Sequence, residues 1–408
     1  MYTAAIIGVS GYGATHFEDL TERYPKDSIK IIGATIINQP DEIEKCNYLR
    51  SQSCEIFTDY REMFKKLNGK LDLCCIPTGI NSHKDITVAA LEAGANVFVE
   101  KPLCATIQDA KAIKKAELKS GKFVIVGYQH IAQPSVIALK KILLSGQLGT
   151  IKRLKYMCPS CRLKSYYFRN GWAGKISLPN GDWVLDSPFN NANAHTLNLI
   201  LYLAGNSFET SAQLKNITAE LYRAKEYIKN ADTGFMRMET IDGKELFYIA
   251  SHSYNGSATD MLIECTNGTI TLNDNHYVIS YANGKKETMP AVLCRKPVVQ
   301  TIYNKLQNPN VFSCCIDIAI AQTTAMNGAH ESSEIIKIPK EFTETFNKNE
   351  ENEVTVIKDL KKTITDCYDK NLLPSELGIA WAKAGELFDL SNYQEFMGGK
   401  IQKCALSK

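Results

Sequence analysis

The sequence lacks a strong excess of either charge, because its 47 Lys and Arg residues are opposed by 44 Asp and Glu residues, with a formal net charge of +3. So weak a field would not attract nucleic acid or an anionic membrane surface. The sequence also lacks an apolar run of about 18 residues, as a transmembrane helix requires, and its start lacks the basic and apolar regions of a secretory signal. We therefore expect a cytoplasmic protein that has no nucleic-acid or membrane partner.

The cysteines do not form a pattern of a disulfide framework. Their number, 13, is odd, and several lie inside apolar runs, as in Cys74-Cys75 and Cys314-Cys315. Free thiols pack in such runs as small hydrophobic groups, which indicates a reducing compartment. Cys158 and Cys161 have C-x-x-C spacing, but no second pair has metal-ligand spacing, so no metal site is expected.

The length of 408 residues predicts two domains, because single domains usually contain about 100–200 residues. In residues 1–130, short apolar runs alternate with segments of helical periodicity, which predicts βαβ units and a parallel, doubly wound sheet of the Rossmann type. The predicted strands are Ala4–Gly8, Ile29–Ile37, Leu71–Ile76, Asn96–Glu100 and Phe123–Gly127, and the predicted helices are Thr15–Tyr24, Asp85–Ala93 and Ile107–Ser120.

Residues 131–408 have a different pattern, in which Asp242-Gly243 and Asn267-Gly268 are typical of hairpin turns between antiparallel strands. This pattern predicts an α+β domain with a large, mostly antiparallel sheet and C-terminal helices. We expect a surface connection over Lys340–Glu353. The predicted strands are Thr150–Met157, Ala219–Arg223, Gly234–Ile241, Leu246–Ser253, Met261–Cys265 and Thr269–Leu272, and the predicted helices are Asn193–Ala204, Phe312–Ala325, Glu353–Lys370 and Glu376–Phe388.

A glycine-rich turn directly follows the first predicted strand. In Gly8-Val9-Ser10-Gly11-Tyr12-Gly13, Gly8 would form the tight turn and Gly13 would allow close packing of the next helix, whose N-terminus would face a pyrophosphate. Ser10 occupies the second glycine position of G-x-G-x-x-G and is small enough not to block a phosphate. The same pattern also fits an ordinary strand-to-helix turn.

The end of the second strand lacks the acidic residue that binds an adenosine ribose. Asn38 follows this strand and could hydrogen-bond a 2′-hydroxyl or, weakly, a 2′-phosphate, whereas Asp41 is interpreted as a helix N-cap. No arginine in this turn favours the phosphorylated cofactor. The sequence therefore leaves the choice between NAD and NADP open.

The apolar strand Val97–Val99 runs into Glu100-Lys101-Pro102, which places a charged pair at a carboxyl strand end, where ligands bind in open α/β sheets. Together with the N-terminal glycines, this motif resembles the glucose-fructose oxidoreductase, inositol dehydrogenase and MocA (Gfo/Idh/MocA) family. The resemblance is clear over about residues 4–275. Further matching segments are Ile76–His83, Ala89–Gly94, Gly127–His130 and Ser145–Ile151.

The resemblance implies a dehydrogenase that transfers a hydride between NAD or NADP and a secondary hydroxyl of a sugar, cyclic polyol or related small molecule. Lys101 would lie near the reacting hydroxyl, and His195 matches the histidine of a D-x-x-x-H pair that supplies the acid and base. The cofactor-binding residues implied are Gly8, Ser10, Gly11, Tyr12, Gly13, Asn38, Pro77, Thr78, His83, Glu100, Lys101 and Gln129.

The chain departs from the family pattern at Asn191, where the pair has an aspartate. We expect Asn191 and His195 to share one helix face, and Asp186 or Asp182 to replace the missing charge. Trp172, Asp186 and Asn190 are candidate substrate contacts. Two alternatives stay open: a glycosidase that retains NAD and acts by transient oxidation and elimination, and a non-catalytic sensor of a metabolite or cofactor.

The aromatic and basic loop Arg162–Trp172 is interpreted either as a substrate contact or as an oligomer contact. His16 is interpreted as a surface residue. An exposed face of the second-domain sheet commonly forms homo-oligomers in this fold, so the resemblance implies a homodimer or homotetramer.

Overall fold

The computed structural model describes residues 1–401, so the last seven residues of the predicted second domain lie outside the described residues. The chain divides into two compact units. The first contains residues 1–134 and 293–319, and the second contains residues 135–292 and the chain from 320 onward. The segment 293–319 was predicted to be part of the second domain, but it lies in the first unit.

The first unit contains a six-stranded parallel sheet in the order β3-β2-β1-β4-β5-β6, the strand order of a Rossmann domain. This confirms the predicted fold class. The strands are β1 (Tyr2–Ile7), β2 (Ile29–Thr35), β3 (Glu55–Phe57), β4 (Leu73–Ile76), β5 (Asn96–Val99) and β6 (Val124–Val126). The helices are α1 (Gly13–Glu18), α2 (Ile43–Ser51), α3 (Tyr60–Lys66), α4 (His83–Glu92) and α5 (Ile107–Ser120).

The second unit contains an 11-stranded, mostly antiparallel sheet, as the sequence predicts. Nine strands follow the order β15-β14-β13-β12-β7-β10-β9-β8-β16, while β11 pairs with β7 and β19 with β8. The strands from here on are β7 (Ile151–Cys161), β8 (Leu214–Arg223), β9 (Thr233–Thr240), β10 (Glu245–Ser251), β11 (Ser253–Ser257), β12 (Asp260–Cys265), β13 (Gly268–Asn273), β14 (His276–Tyr281), β15 (Lys286–Pro290), β16 (Ile335–Lys337), β17 (Thr343–Phe346), β18 (Val354–Ile357) and β19 (Phe388–Asp389).

The remaining helices are α6 (Pro134–Leu144), α7 (Lys164–Phe168), α8 (Ala194–Ala204), α9 (Lys296–Gln307), α10 (Ile316–Ser332) and α11 (Leu360–Lys370). Helix α9 was not predicted, and its Val298, Val299 and Ile302 join the core of the first unit. Among the described residues, no helix is both long and apolar enough to cross a membrane.

Two helix predictions near the C-terminus need correction, since the first is confirmed only over α11 (Leu360–Lys370) and the second is wrong. The predicted helix Glu353–Lys370 begins as strand β18, whose Val-Thr-Val-Ile sequence is β-branched and pairs with β17 inside the predicted connection 340–353. The predicted helix Glu376–Phe388 is irregular apart from the first residue of β19. At Gly385 a Cβ atom would lie 1.9 Å from the Ala219 carbonyl oxygen, so this segment runs directly against strand β8.

Both faces of the central strands β7 and β10 are covered by the chain itself. On one face, the buried Lys155 Nζ donates to the Tyr368 carbonyl oxygen of α11 at 2.7 Å. On the other face, the Tyr248 hydroxyl lies 2.8 Å from the Thr196 hydroxyl of α8. The exposed face from which a homo-oligomer was predicted is therefore absent at these described strands, and the homodimer or homotetramer stays a prediction.

Candidate functional site

The glycine-rich turn has the local geometry that a dinucleotide site needs. Gly8 and Gly11 have φ angles of +85° and +55°, and a Cβ atom at either would meet no atom within 4 Å. A Cβ atom at Gly13, the first residue of α1, would lie 2.7 Å from the Gly8 carbonyl oxygen, so glycine allows α1 to start close to β1. The open turn and the adjoining helix N-terminus fit a pyrophosphate.

The residues after β2 contact this turn through side chains. The Asn38 amide donates to the Ser10 hydroxyl at 3.0 Å and lies 3.4 Å from an Asp41 carboxylate oxygen. Lys45 Nζ donates to the Val9 carbonyl oxygen at 2.9 Å and forms an ion pair with Glu42. Lys45 is therefore already paired, while Arg50 donates to the Gln39 side chain at 2.8 Å and the exposed Asp41 carboxylate lies next to Asn38.

Glu100 is the centre of a buried charge network in the first unit. Its Oε1 lies 2.8 Å from His16 Nε2 and 3.4 Å from Arg295 Nη1. Arg295 also contacts Asp19 at 2.6 Å and the Tyr12 hydroxyl at 3.0 Å. His16 is fully buried, so its interpretation as a surface residue is wrong.

This network holds Glu100 in its charged form. Burial alone would raise the pKa of Glu100, but the hydrogen bond from His16 and the charges of His16, Arg295 and Lys101 outweigh it and lower the pKa to about 2. A carboxylate accepts hydrogen bonds, so His16 must donate through Nε2. The Lys101 backbone N–H donates to Glu100 Oε2 at 3.1 Å, which fixes the chain at the end of β5.

The other predicted cofactor residues lie at the same carboxyl edge of the sheet. Pro77 and Thr78 follow β4, and Gln129 follows β6. His83 is fully buried, with its two ring nitrogens 2.9 Å from the Pro102 carbonyl oxygen and 3.1 Å from the Thr78 carbonyl oxygen. We conclude that His83 connects the loops after β4 and β5, so that it can act on a cofactor only by holding them.

In the second unit, His195 is the second residue of α8 and is half-buried. The expected helix-face pair with Asn191 is wrong, because α8 begins only at Ala194. The preceding residues Pro188–Asn190 form a short 3₁₀ turn, and Asn191 leaves it with φ −135° and ψ −82°. Asn191 and His195 are four residues apart in the sequence, but they are therefore not one helical turn apart in the structure.

Asn191 is instead bound to Asp186. Its amide donates to Asp186 Oδ1 at 2.8 Å, and the backbone N–H of Gly174 donates to Asp186 Oδ2 at 2.6 Å. This contact is consistent with the prediction that Asp186 supplies the carboxylate that position 191 lacks. An aspartate at position 191 would instead place a second carboxylate next to Asp186. Asn190 is buried, with its amide donating to Val184 and Leu185 and its oxygen accepting from Gln322, so its polar atoms are engaged inside the unit.

The start of α8 is fixed to the sheet by Tyr248 of β10. The Tyr248 hydroxyl lies 2.8 Å from both the Asn193 carbonyl oxygen and the Thr196 hydroxyl, and 3.3 Å from Cys158 Sγ. These contacts lie on both sides of His195 in the sequence and therefore restrict the helix turn that carries it. Cys158 is one of 12 cysteines of the described chain that form no disulfide. Burial raises the pKa of its thiol, so we assign this cysteine of the C-x-x-C sequence a structural role.

His16 and Arg295 were not among the residues predicted to form the site. His16 follows Gly13 by three residues, on the side of α1 that returns toward the sheet, so helical spacing could have indicated it. Arg295 is 195 residues away from Glu100, and no local pattern connects them. A general physical argument still indicates that Glu100 has such a partner, because a buried carboxylate needs a cation or a hydrogen-bond donor.

The fold and the glycine-rich turn define a Rossmann-type, dinucleotide-binding domain. Residues 2–128 match the family model described as "Oxidoreductase family, NAD-binding Rossmann fold". This match shows that the N-terminal part of the chain is similar to the NAD-binding domain of this oxidoreductase family.

Similarity to individual proteins extends this finding. Inositol 2-dehydrogenase of Salmonella typhimurium is 34% identical over 93 residues, which are 22% of this chain and only 28% of the relative. Two solved structures share the fold at 17% identity and a TM-score of 0.65: an oxidoreductase from Agrobacterium radiobacter in complex with NAD⁺, L-tartaric acid and magnesium, covering 81% of this chain and 95% of that one, and the WlbA dehydrogenase from Bordetella pertussis in complex with NADH and UDP-GlcNAcA, covering 80% and 96%.

Proposed function

We propose that the protein is a nicotinamide-dependent oxidoreductase that oxidises, or in reverse forms, a secondary hydroxyl on a sugar, cyclic polyol or related small molecule. The observation that carries this proposal is the position of Lys101. It directly follows Glu100, which is bound to His16 of α1, the helix that begins at the dinucleotide turn. The inositol 2-dehydrogenase relative acts on a compound of this class, which supports the substrate assignment.

Lys101 and His195 are the proposed catalytic residues. An ammonium group beside the reacting hydroxyl lowers the hydroxyl pKa and orients it, and a neutral imidazole accepts its proton. The bound nicotinamide would supply the hydride acceptor. Asp186 and Asn191 would position the substrate or the imidazole through their hydrogen bonds.

The proposal is tested with purified protein in two steps. Binding of NADH is followed by its fluorescence, and NAD reduction is then followed at the nicotinamide absorbance with a panel of sugars, sugar acids and cyclic polyols. We expect saturable NADH binding and reduction with at least one compound. Absence of NADH binding would contradict the proposal, as would absence of reduction across the panel.

We expect NAD to bind at least about ten-fold more tightly than NADP, because the Asp41 carboxylate beside Asn38 repels a 2′-phosphate and the nearby Lys45 is paired with Glu42. Asp41→Asn should narrow this preference by about three-fold or more. The Kd values for NADH and NADPH measure it. Glu62→Gln removes an exposed acid from α3 of the same unit and should leave the ratio unchanged; an equal ratio in D41N and wild type would exclude Asp41 as the determinant.

We expect His195→Asn to lower kcat about 10²-fold, because it removes the proposed proton acceptor, while NADH binding stays within about two-fold. The matched control is His276→Asn, since His276 is an exposed histidine on β14 of the same unit. The pH profile of kcat/KM is the second readout, and its acidic limb should disappear in H195N. A variant that retains both rate and profile would exclude His195 from proton transfer.

A further inference from the structure

The aromatic and basic loop of the second unit places two guanidinium groups against one ring. The Cζ atoms of Arg162 and Arg169 lie 5.4 Å and 3.7 Å from the Tyr166 ring centroid, and Arg169 also lies 5.5 Å from the Trp172 ring. Such cation–π contacts orient a cation without neutralising it. Neither arginine forms an ion pair with any residue of the described range 1–401.

His252 lies beside the same ring. Its ring centroid is 5.5 Å from that of Tyr166, its Nδ1 is 2.8 Å from the Tyr167 hydroxyl, and it is 1% exposed. Burial lowers the pKa of His252 well below its ordinary value, and the charges of Arg162, Lys225 and Arg169 lower it further, so it is neutral.

Two buried polar atoms near this ring have no hydrogen-bond partner within residues 1–401. They are Nε2 of His252 and Nε of Arg162. Buried polar atoms are nearly always paired in folded proteins, and unpaired ones need an explanation. Arg169 donates to the Tyr166 carbonyl oxygen, but no carboxylate within residues 1–401 neutralises its charge. Two unpartnered polar atoms next to this charge indicate a place for a ligand with acceptor oxygens.

The loop is connected to the Asp186–Asn191 pair. Gly174, just beyond the loop, donates its backbone N–H to Asp186 Oδ2, while Asn191 donates to Asp186 Oδ1. Burial raises the pKa of the Tyr166 phenol, and the charge of Asp186 raises it further. Through Gly174 and Asp186, the segment that follows the arginine loop is connected to Asn191, four residues before His195.

Two aspartates near the loop are already engaged. Asp186 accepts the two hydrogen bonds described, and Asp232 accepts from the backbone N–H groups of Ala224 and Lys225 and from the Thr233 hydroxyl. Glu350 and Glu351 line the same cavity as Arg169, but within residues 1–401 no carboxylate forms an ion pair with Arg162 or Arg169. A planar guanidinium is the side chain best suited to bind two oxygens of one carboxylate or phosphate.

We propose that the substrate of this site carries an acidic group, a carboxylate or a phosphate, and that Arg162 and Arg169 bind it. This inference rests on the proposed function for the oxidised hydroxyl, and it adds the charge of the substrate. In this site Arg162 and Arg169 select for acidic substrates, and the Trp172 ring orients the guanidinium of Arg169.

The test compares binding of matched neutral and acidic compounds to the full chain in the presence of NADH, by calorimetry. The probes are D-glucose with D-glucuronate and D-glucose 6-phosphate, D-galactose with D-galacturonate, and myo-inositol with myo-inositol 1-phosphate. We expect at least one acid to bind about ten-fold or more tightly than its neutral parent. A preference for the uronates identifies a carboxylate, and a preference for the phosphate esters identifies a phosphate.

The double variant R162Q/R169Q should reduce this preference to about two-fold or less, and the single variant R169Q, whose side chain is exposed, should reduce it without affecting folding. The matched control is R237Q, which removes an arginine of β9 that pairs with Glu376. The inference is overturned if no acid binds more tightly than its parent, or if the preference survives in the double variant.

Failure of this inference differs from failure of the proposed function. Turnover of neutral compounds without any acid preference would overturn the arginine site and leave the oxidoreductase intact. An arginine-dependent acid preference without NAD reduction by any probe would support the acid site and contradict the catalytic role.

Discussion

Lys101→Met is expected to lower turnover by about 10³-fold while the Kd for NADH stays within about three-fold of the wild-type value. The variant keeps an apolar side chain of similar length but removes the ammonium group that lowers the pKa of the reacting hydroxyl, and acid–base groups of this kind contribute about 10²- to 10⁴-fold. Steady-state rates with the best compound of the panel measure the effect. NADH fluorescence measures cofactor binding separately.

Two comparisons make this result specific. Lys119→Met removes an exposed lysine of α5 in the same unit and should retain the wild-type rate. Lys101→Arg keeps the positive charge that is proposed to lower the pKa of the hydroxyl, so it should recover part of the activity that K101M loses. Wild-type turnover in K101M would exclude Lys101 from catalysis.

Arg295→Met is expected to lower the free energy of unfolding of the first unit by about 3 kcal/mol, because it leaves Glu100 and Asp19 buried with one cationic partner fewer. This loss of free energy is at the low end for the breaking of a buried ion pair, because Glu100 keeps its contact with His16 and Asp19 keeps its ion pair with Arg23. Urea unfolding at pH 7 measures the change. The activity of the remaining folded protein then reports whether the end of β5 has moved.

The same variant should change the dependence of stability on pH. The pKa of Glu100 is about 2 in the folded protein, below that of an unfolded glutamate, so its contribution is present above about pH 4.5 and is lost as pH falls toward 2. In R295M the folded-state pKa rises, because one of the charges that opposed burial is gone. Stability should therefore fall less steeply between pH 5 and 3 than in the wild type.

Arg61→Met is the matched control for Arg295. Arg61 belongs to the same unit and pairs with Asp59 at 3.6 Å, but its side chain is 68% exposed. Exposed pairs contribute about 0–1 kcal/mol, so R61M should unfold almost as the wild type does and keep its pH dependence. Equal stabilities of R295M and R61M would show that the network does not stabilise the first unit.

Most of the first unit could be predicted from the sequence, because the positions of its strands, helices and turns depend on local sequence signals. Runs such as Leu73–Ile76 are buried strands, the spacing of apolar residues in Ile107–Ser120 defines α5, and glycines mark the turn after β1. The carboxyl ends of parallel strands meet at one edge of the sheet. The sequence therefore predicted that Gly8, Asn38, Thr78 and Lys101 share that edge.

The second unit was predicted less well, because its irregular segments depend on packing. Glu376–Phe388 has the composition of a helix, yet Gly385 lies against the backbone of β8, where a helix would not fit. Asn191 and His195 have helical spacing, yet the 3₁₀ turn at Pro188 ends before α8 begins. In both places tertiary contacts override a local preference.

Short motifs in the sequence were enough to predict the Rossmann domain and the turn that fits a dinucleotide, and the family resemblance added the two proposed catalytic residues. The contacts of Arg295 with Glu100 and of Asp186 with Asn191 became visible only in the folded chain. A buried charge needs a partner, and the fold can bring that partner from any distance along the chain, so no local motif reveals it.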